Sequence, residues 1–118
     1  MTTLIEVAVY AAVMAHGTPL ACSASDDSHV SCTNGITAVL ADHDVIRYSS
    51  GVTVQRDKDG FPHFSDGTKS WFNAMAWLAF SNGVQVRRLG PDLYRFSTGI
   101  ACRSELPALV DCAADKNG

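Results

Sequence analysis

Five glycines stand sixteen residues apart without interruption: Gly35, Gly51, Gly67, Gly83 and Gly99. Two positions before each is a hydroxyl residue (Thr33, Ser49, Ser65, Ser81, Ser97), and between them a turn-former (Asn34, Ser50, Asp66, Asn82, Thr98). Three before each glycine comes Cys32, Tyr48, Phe64, Phe80 or Phe96. One after it comes Ile36, Val52, Thr68, Val84 or Ile100. A fixed period of this kind means one supersecondary unit used repeatedly, and it restricts the fold before composition is considered.

Each unit places apolar residues two apart on both sides of a short turn, the pattern of a β-hairpin. Glycine suits the turn because positive φ is needed there, and a type I turn with a glycine bulge fits an odd-length loop. Centring each hairpin on its glycine predicts the pairs Cys32–Ala38, Tyr48–Val54, Phe64–Ser70, Phe80–Val86 and Phe96–Cys102. The hydroxyl and turn-former residues are expected to close their own turn. The returns at 41–44, 57–60 and 89–92 carry Asp, Gly or Pro and are too short for a helix or a parallel crossover. They set Ala38 against Tyr48, Val54 against Phe64, Ser70 against Phe80 and Val86 against Phe96. The predicted fold is all-β: an antiparallel up-and-down meander of tandem 16-residue β-hairpin repeats, five glycine-centred units with terminal half units. Whether it closes as a barrel is open at this level.

The cysteines keep the register. Cys22 and Cys102 lie three after a turn centre, with Pro19 standing where the first glycine would be. Cys32 and Cys112 lie three before one, with Asp115 at the last expected glycine position. Four cysteines allow three pairings. The register selects Cys22–Cys32 and Cys102–Cys112, each on one face of adjacent strands. Terminal repeats lack a neighbour on one side, so staples there make physical sense. Bridged cysteines imply an oxidising, extracytoplasmic or secreted destination.

At 118 residues the chain suits one domain with a modest core. The expected organisation is an apolar N-terminal segment at 1–17, a hairpin domain at 18–113 and a tail at 114–118. Net charge is −3, but no Lys or Arg precedes Arg47, so the acidic residues lead and the array is mildly basic. No apolar run approaches membrane-spanning length. The small apolar residues of Met1 to His16 lack a leading basic residue and contain Glu6, which weakens a signal-peptide reading. They read instead as a segment packed on the meander, strand-like at Ile5, Val7 and Val9 and helix-like through the alanines that follow.

Two surface features stand out. The return of the third full unit replaces polar residues with Trp71-Phe72-Asn73-Ala74-Met75-Ala76-Trp77-Leu78. Trp71, Phe72 and Trp77 there form either an exposed platform for a sugar or a protein, or satellite core beneath the N-terminal segment. Arg47, Arg87, Arg95 and Arg103 recur at outward positions and form either a polyanion-binding stripe or a solvated face that blunts sheet edges. Asp42-His43-Asp44 and Asp57-Lys58-Asp59-Gly60 read as turns, since a calcium loop needs more oxygen ligands at fixed spacing. No catalytic, metal, cofactor or nucleic-acid motif is evident.

In architecture alone, tandem aromatic hairpins resemble bacterial wall-binding hairpin repeats; period and residues differ, so no function follows. Two readings are therefore carried forward. The first is a non-catalytic structural or protein-interaction module, a subunit of a larger extracytoplasmic or virion-like assembly. The alternative is a glycan- or polyanion-binding module using the aromatic platform and the arginines.

Overall fold

A computed structural model describes residues 3–41, 43–106 and 108–114, so Asp42, Asp115 and the rest of the C-terminal tail lie outside the described residues. One helix, α1 (Leu4–Met14), precedes the strands β1 (Leu20–Ala24), β2 (His29–Cys32), β3 (Thr37–Ala41), β4 (Val45–Tyr48), β5 (Thr53–Arg56) and β6 (Pro62–Phe64). The second half comprises β7 (Ser70–Phe72), β8 (Leu78–Phe80), β9 (Gln85–Gly90), β10 (Leu93–Phe96), β11 (Ile100–Leu106) and β12 (Leu109–Ala114). All pairings are antiparallel, consecutive strands are neighbours except β6 and β7, and β1 also pairs with β12. The meander therefore curls into a nearly closed barrel whose backbone ladder is open between β6 and β7.

The return pairs hold as expected: Ala38↔Tyr48, Val54↔Phe64, Ser70↔Phe80 and Val86↔Phe96. The pairs across the glycine turns do not. Val30 lies opposite Ala38, Ile46 opposite Val54 and Leu78 opposite Val86, two residues from the glycine-centred expectation. The glycine bulge is the cause. Phe80 N donates to Val84 O while Gly83 N donates to Phe80 O, so the hairpin is symmetric about Asn82, not Gly83. Gly83 has a φ of 96°, and the other four repeat glycines share this left-handed conformation.

The hydroxyl position also does something other than closing its own turn. Ser49 Oγ accepts from Thr37 N, Ser65 Oγ from Thr53 N, Ser81 Oγ from Lys69 N and Ser97 Oγ from Gln85 N. Each hydroxyl thus latches its turn to the neighbouring hairpin twelve residues earlier. Closing the turn falls to the next residue, as when Asn82 Oδ1 accepts from Val84 N.

The N-terminal segment forms no strand. A capping box of Thr3 and Glu6 starts a helix, and that helix lies inside the barrel. Ile5 and every residue from Val7 to Val13 are buried, so the helix is enclosed on all sides. An eight-stranded barrel is filled by its own side chains; a wider one leaves room for an insert. The alternation at Ile5, Val7 and Val9 misleads because apolar residues on every face satisfy either period. The turns hold the helix end: Asn82 Nδ2 donates to Val13 O at 2.8 Å and Thr98 Oγ1 to Gly17 O at 2.8 Å. Midway, Tyr48 Oη donates to Val7 O at 2.8 Å.

The two disulfides join Cys22 to Cys32 and Cys102 to Cys112. They lie on four consecutive strands of the ring, β2, β1, β12 and β11, which are the strands helix α1 packs against most closely.

Candidate functional site

Because the hairpins are centred on a residue rather than a bond, paired residues share parity around the ring, apart from the bulged ends at Leu93↔Gly90 and Leu106↔Leu109. Even-numbered strand residues point inward and odd-numbered ones outward, which matches the alternation of burial in β2, β4 and β6. This rule sorts the candidates.

Trp71 and Trp77 are outward. Trp71 is 47% exposed, Phe72 62% and Met75 75%, while Trp77 is half-buried. The N-terminal helix does not cover them, so the satellite-core reading of this stretch is not the one the fold adopts. Nor does the return abandon polar turn chemistry: Asn73 Oδ1 accepts from Met75 N and Trp77 N, as Asp57 Oδ1 does from Asp59 N and Phe61 N. Ala76, at a φ of 65°, takes the left-handed conformation that Gly60, at 88°, takes in the preceding return.

The arginines do not form one stripe. Arg87 and Arg95 lie directly opposite each other on β9 and β10. Arg103 lies across from Asp111. Arg47 is on β4, between Val39 and Thr53, on another part of the ring.

Parity also brings together residues that were not singled out. Ala24, Leu40, Arg56, Phe72, Arg88 and Ser104 occupy one inward position of successive units, at the end of the barrel bearing the returns. Arg56, Phe72 and Arg88 are consecutive in this series and line a cavity of about 370 Å³ with Tyr94, Val86 and the helix residue Tyr10. Glu6 is nearly buried there and forms an ion pair with Arg56, whose Nη2 also approaches Asp44 at 3.8 Å. Arg56 Nε is buried with no acceptor. Burial raises the phenol pKa values of Tyr10 and Tyr94 above the ordinary tyrosine value, with Glu6 adding to both shifts. Both therefore remain protonated donors at neutral pH.

The cavity lies beside the open seam. Pro62 occupies the repeat position held by Ile46 and Leu78, whose partners across the turn are Val54 and Val86. Proline has no N–H to give β7, and it is found at strand edges for that reason. The seam is bridged by side chains instead: Ser70 Oγ donates to Pro62 O at 3.2 Å, and Phe61 meets Phe72 edge-on at 5.2 Å. Pro62 was the signal in the sequence for where the ring opens.

Among the described residues there is no group of three or more His, Cys, Asp or Glu side chains able to hold a metal ion. No described helix is long and apolar enough to cross a membrane, which says nothing of crossing by strands. The two bridged cysteine pairs fit an extracytoplasmic location. The chain matches no protein-family model, no curated protein and no solved structure.

Proposed function

We propose that this chain is a non-catalytic, secreted protein-interaction module that assembles with a second copy of itself through the β7–β8 hairpin. The observation carrying the reading is the exposure of outward Trp71 and the turn residue Met75 beside the open seam. Large apolar side chains left in water are unfavourable there, and such surface marks interaction sites. Residues 70–79 contain no charged side chain, so two copies meet there without like-charge repulsion. The arginines support the glycan or polyanion alternative less well, because Arg47 stands apart and Arg103 faces Asp111.

Sedimentation velocity over a concentration series tests this. Wild type should show concentration-dependent dimerisation, weakened at least about tenfold in the Trp71→Ser/Met75→Ser double variant, a change of about 1.4 kcal/mol. A chain that stays monomeric throughout, or a double variant that assembles like wild type, overturns the proposal. A monomer that binds dextran sulfate, with binding lost in Arg87→Gln/Arg95→Gln, would establish the alternative in its place.

A further inference from the structure

Inward positions of the ring are mostly apolar or small, and two arginines break that rule. Arg56 and Arg88 sit one unit either side of Phe72 at the returns' end of the barrel, where all three line the mouth cavity. The cavity exists because helix α1 packs closest to β1, β2, β11 and β12, leaving space between its other side and strands β8 to β10. Its floor is apolar: Val9 from the helix, Leu78 from β8 and Val86 from β9.

The polar groups at the mouth are unbalanced toward donors. Glu6 is the one carboxylate among the lining residues, and it is fully engaged. Its Oε1 accepts from Thr3 N and Thr3 Oγ1, and its Oε2 is held by Arg56. Arg88 donates its Nε to Gly90 O at 3.3 Å and has no carboxylate partner among the described residues. Arg56 Nε has no acceptor. Buried donors without acceptors are costly, and such a group in a native fold calls for an explanation. Arg56 is shared by Glu6 and, at 3.8 Å, by Asp44, so Arg88 is the guanidinium left to meet a ligand, and one guanidinium matches a monoanion better than a phosphate dianion.

We propose that the mouth cavity binds a small amphipathic carboxylate. Its carboxylate sits at Arg88 and Arg56, and its aromatic or branched alkyl body lies between Phe72 and the floor of Val9, Leu78 and Val86. The guanidinium fork matches a carboxylate in shape as well as charge. The volume is at the low end of the roughly 300–1,000 Å³ usual for ligand pockets, which suits a single ring or a short branched chain rather than a lipid or peptide. The site is independent of the proposed dimer contact, which uses the outward Trp71 and the turn residue Met75.

Calorimetric titration with phenylacetate and 4-methylpentanoate, alongside their primary amides, tests the proposal. At least one carboxylate should bind saturably, and its amide should bind about tenfold more weakly or worse. Arg88→Gln removes an exposed side chain without disturbing the core and should weaken carboxylate binding about tenfold. Arg103→Gln on the outer wall should leave it unchanged, as should Trp71→Ser/Met75→Ser. Methyl NMR shifts on binding should fall on Val9, Leu78 and Val86. The proposal is overturned if neither acid binds below about 10 mM, if amide and acid bind alike, or if Arg88→Gln has no effect. Shifts centred on Met75 would overturn it too, by placing the binding on the outer patch.

Discussion

The barrel has two unlike sides. On one, strands β2, β1, β12 and β11 carry Cys22, Cys32, Cys102 and Cys112 at inward positions that elsewhere hold aromatic rings, Ala, Val or Ser. Backbone ladders there are continuous, two covalent bridges cross adjacent strands, and helix α1 lies against this wall. On the other side, β6 and β7 share no ladder, and the closing contacts are Ser70 to Pro62 and Phe61 to Phe72. The inward residues here are large, with Phe64 packing edge-on to both Tyr10 and Phe80. The contrast shows how one repeat serves two purposes. Compact, covalently paired residues let the helix come close; bulky or charged ones hold it off and leave a cavity.

The stapled side should be the more costly to damage. Each bridge joins cysteines ten residues apart, and closing such a loop contributes about 3 kcal/mol in the chain-entropy model. Replacing all four cysteines by alanine should therefore cost roughly 5 kcal/mol in denaturant unfolding, more than any single substitution at the seam. A loss no larger than that of a seam variant would show that the wall is held by its ladders and the helix, not by the staples.

Trp77 is the intermediate case, half-buried and outward near the seam. Trp77→Ala should cost about 1–2 kcal/mol, below the ~3–5 kcal/mol of a fully buried aromatic. A loss as large as that of Phe96→Ala, whose ring is 2% exposed, would mean that the seam side is packed as tightly as the stapled one.

The smallest expected change sharpens the comparison most. Pro62→Val supplies an N–H toward β7, and one added ladder bond is worth about 1 kcal/mol. Part of that is offset because a freer unfolded chain costs about 0.4–1 kcal/mol. Net stability should hardly move, but amide exchange at residues 70–72 should slow as the seam closes. Unchanged exchange would mean that something other than the proline keeps β6 and β7 apart.

Much of the ring was legible because its information is local. The spacing of Gly35 through Gly99 marks the turns, and the short returns leave one way to pair Ala38 with Tyr48 or Cys22 with Cys32. The register across the glycine turns was misplaced by two residues, since a bulge moves the symmetry centre from the glycine to the residue before it. The same shift, once known, decides the parity that separates outward Trp71 and Arg87 from inward Phe72 and Arg88. Among the candidate residues, the exposed Trp71 and Phe72 were found from their unusual return. Arg56 and Arg88 were passed over because adjacent arginines look alike until their faces are assigned.

The sequence by itself determined the hairpin unit, its order and its disulfide pairs, because those depend on residues within about one repeat of each other. Only the tertiary structure decided that β1 meets β12, that the N-terminal segment becomes a helix within the ring, and that the opening falls beside Pro62. Those outcomes rest on contacts between residues far apart in the chain, such as Glu6 with Arg56, Val7 with Tyr48 and Val13 with Asn82. A repeat cannot encode them, because each is made by one unit and not by its neighbours.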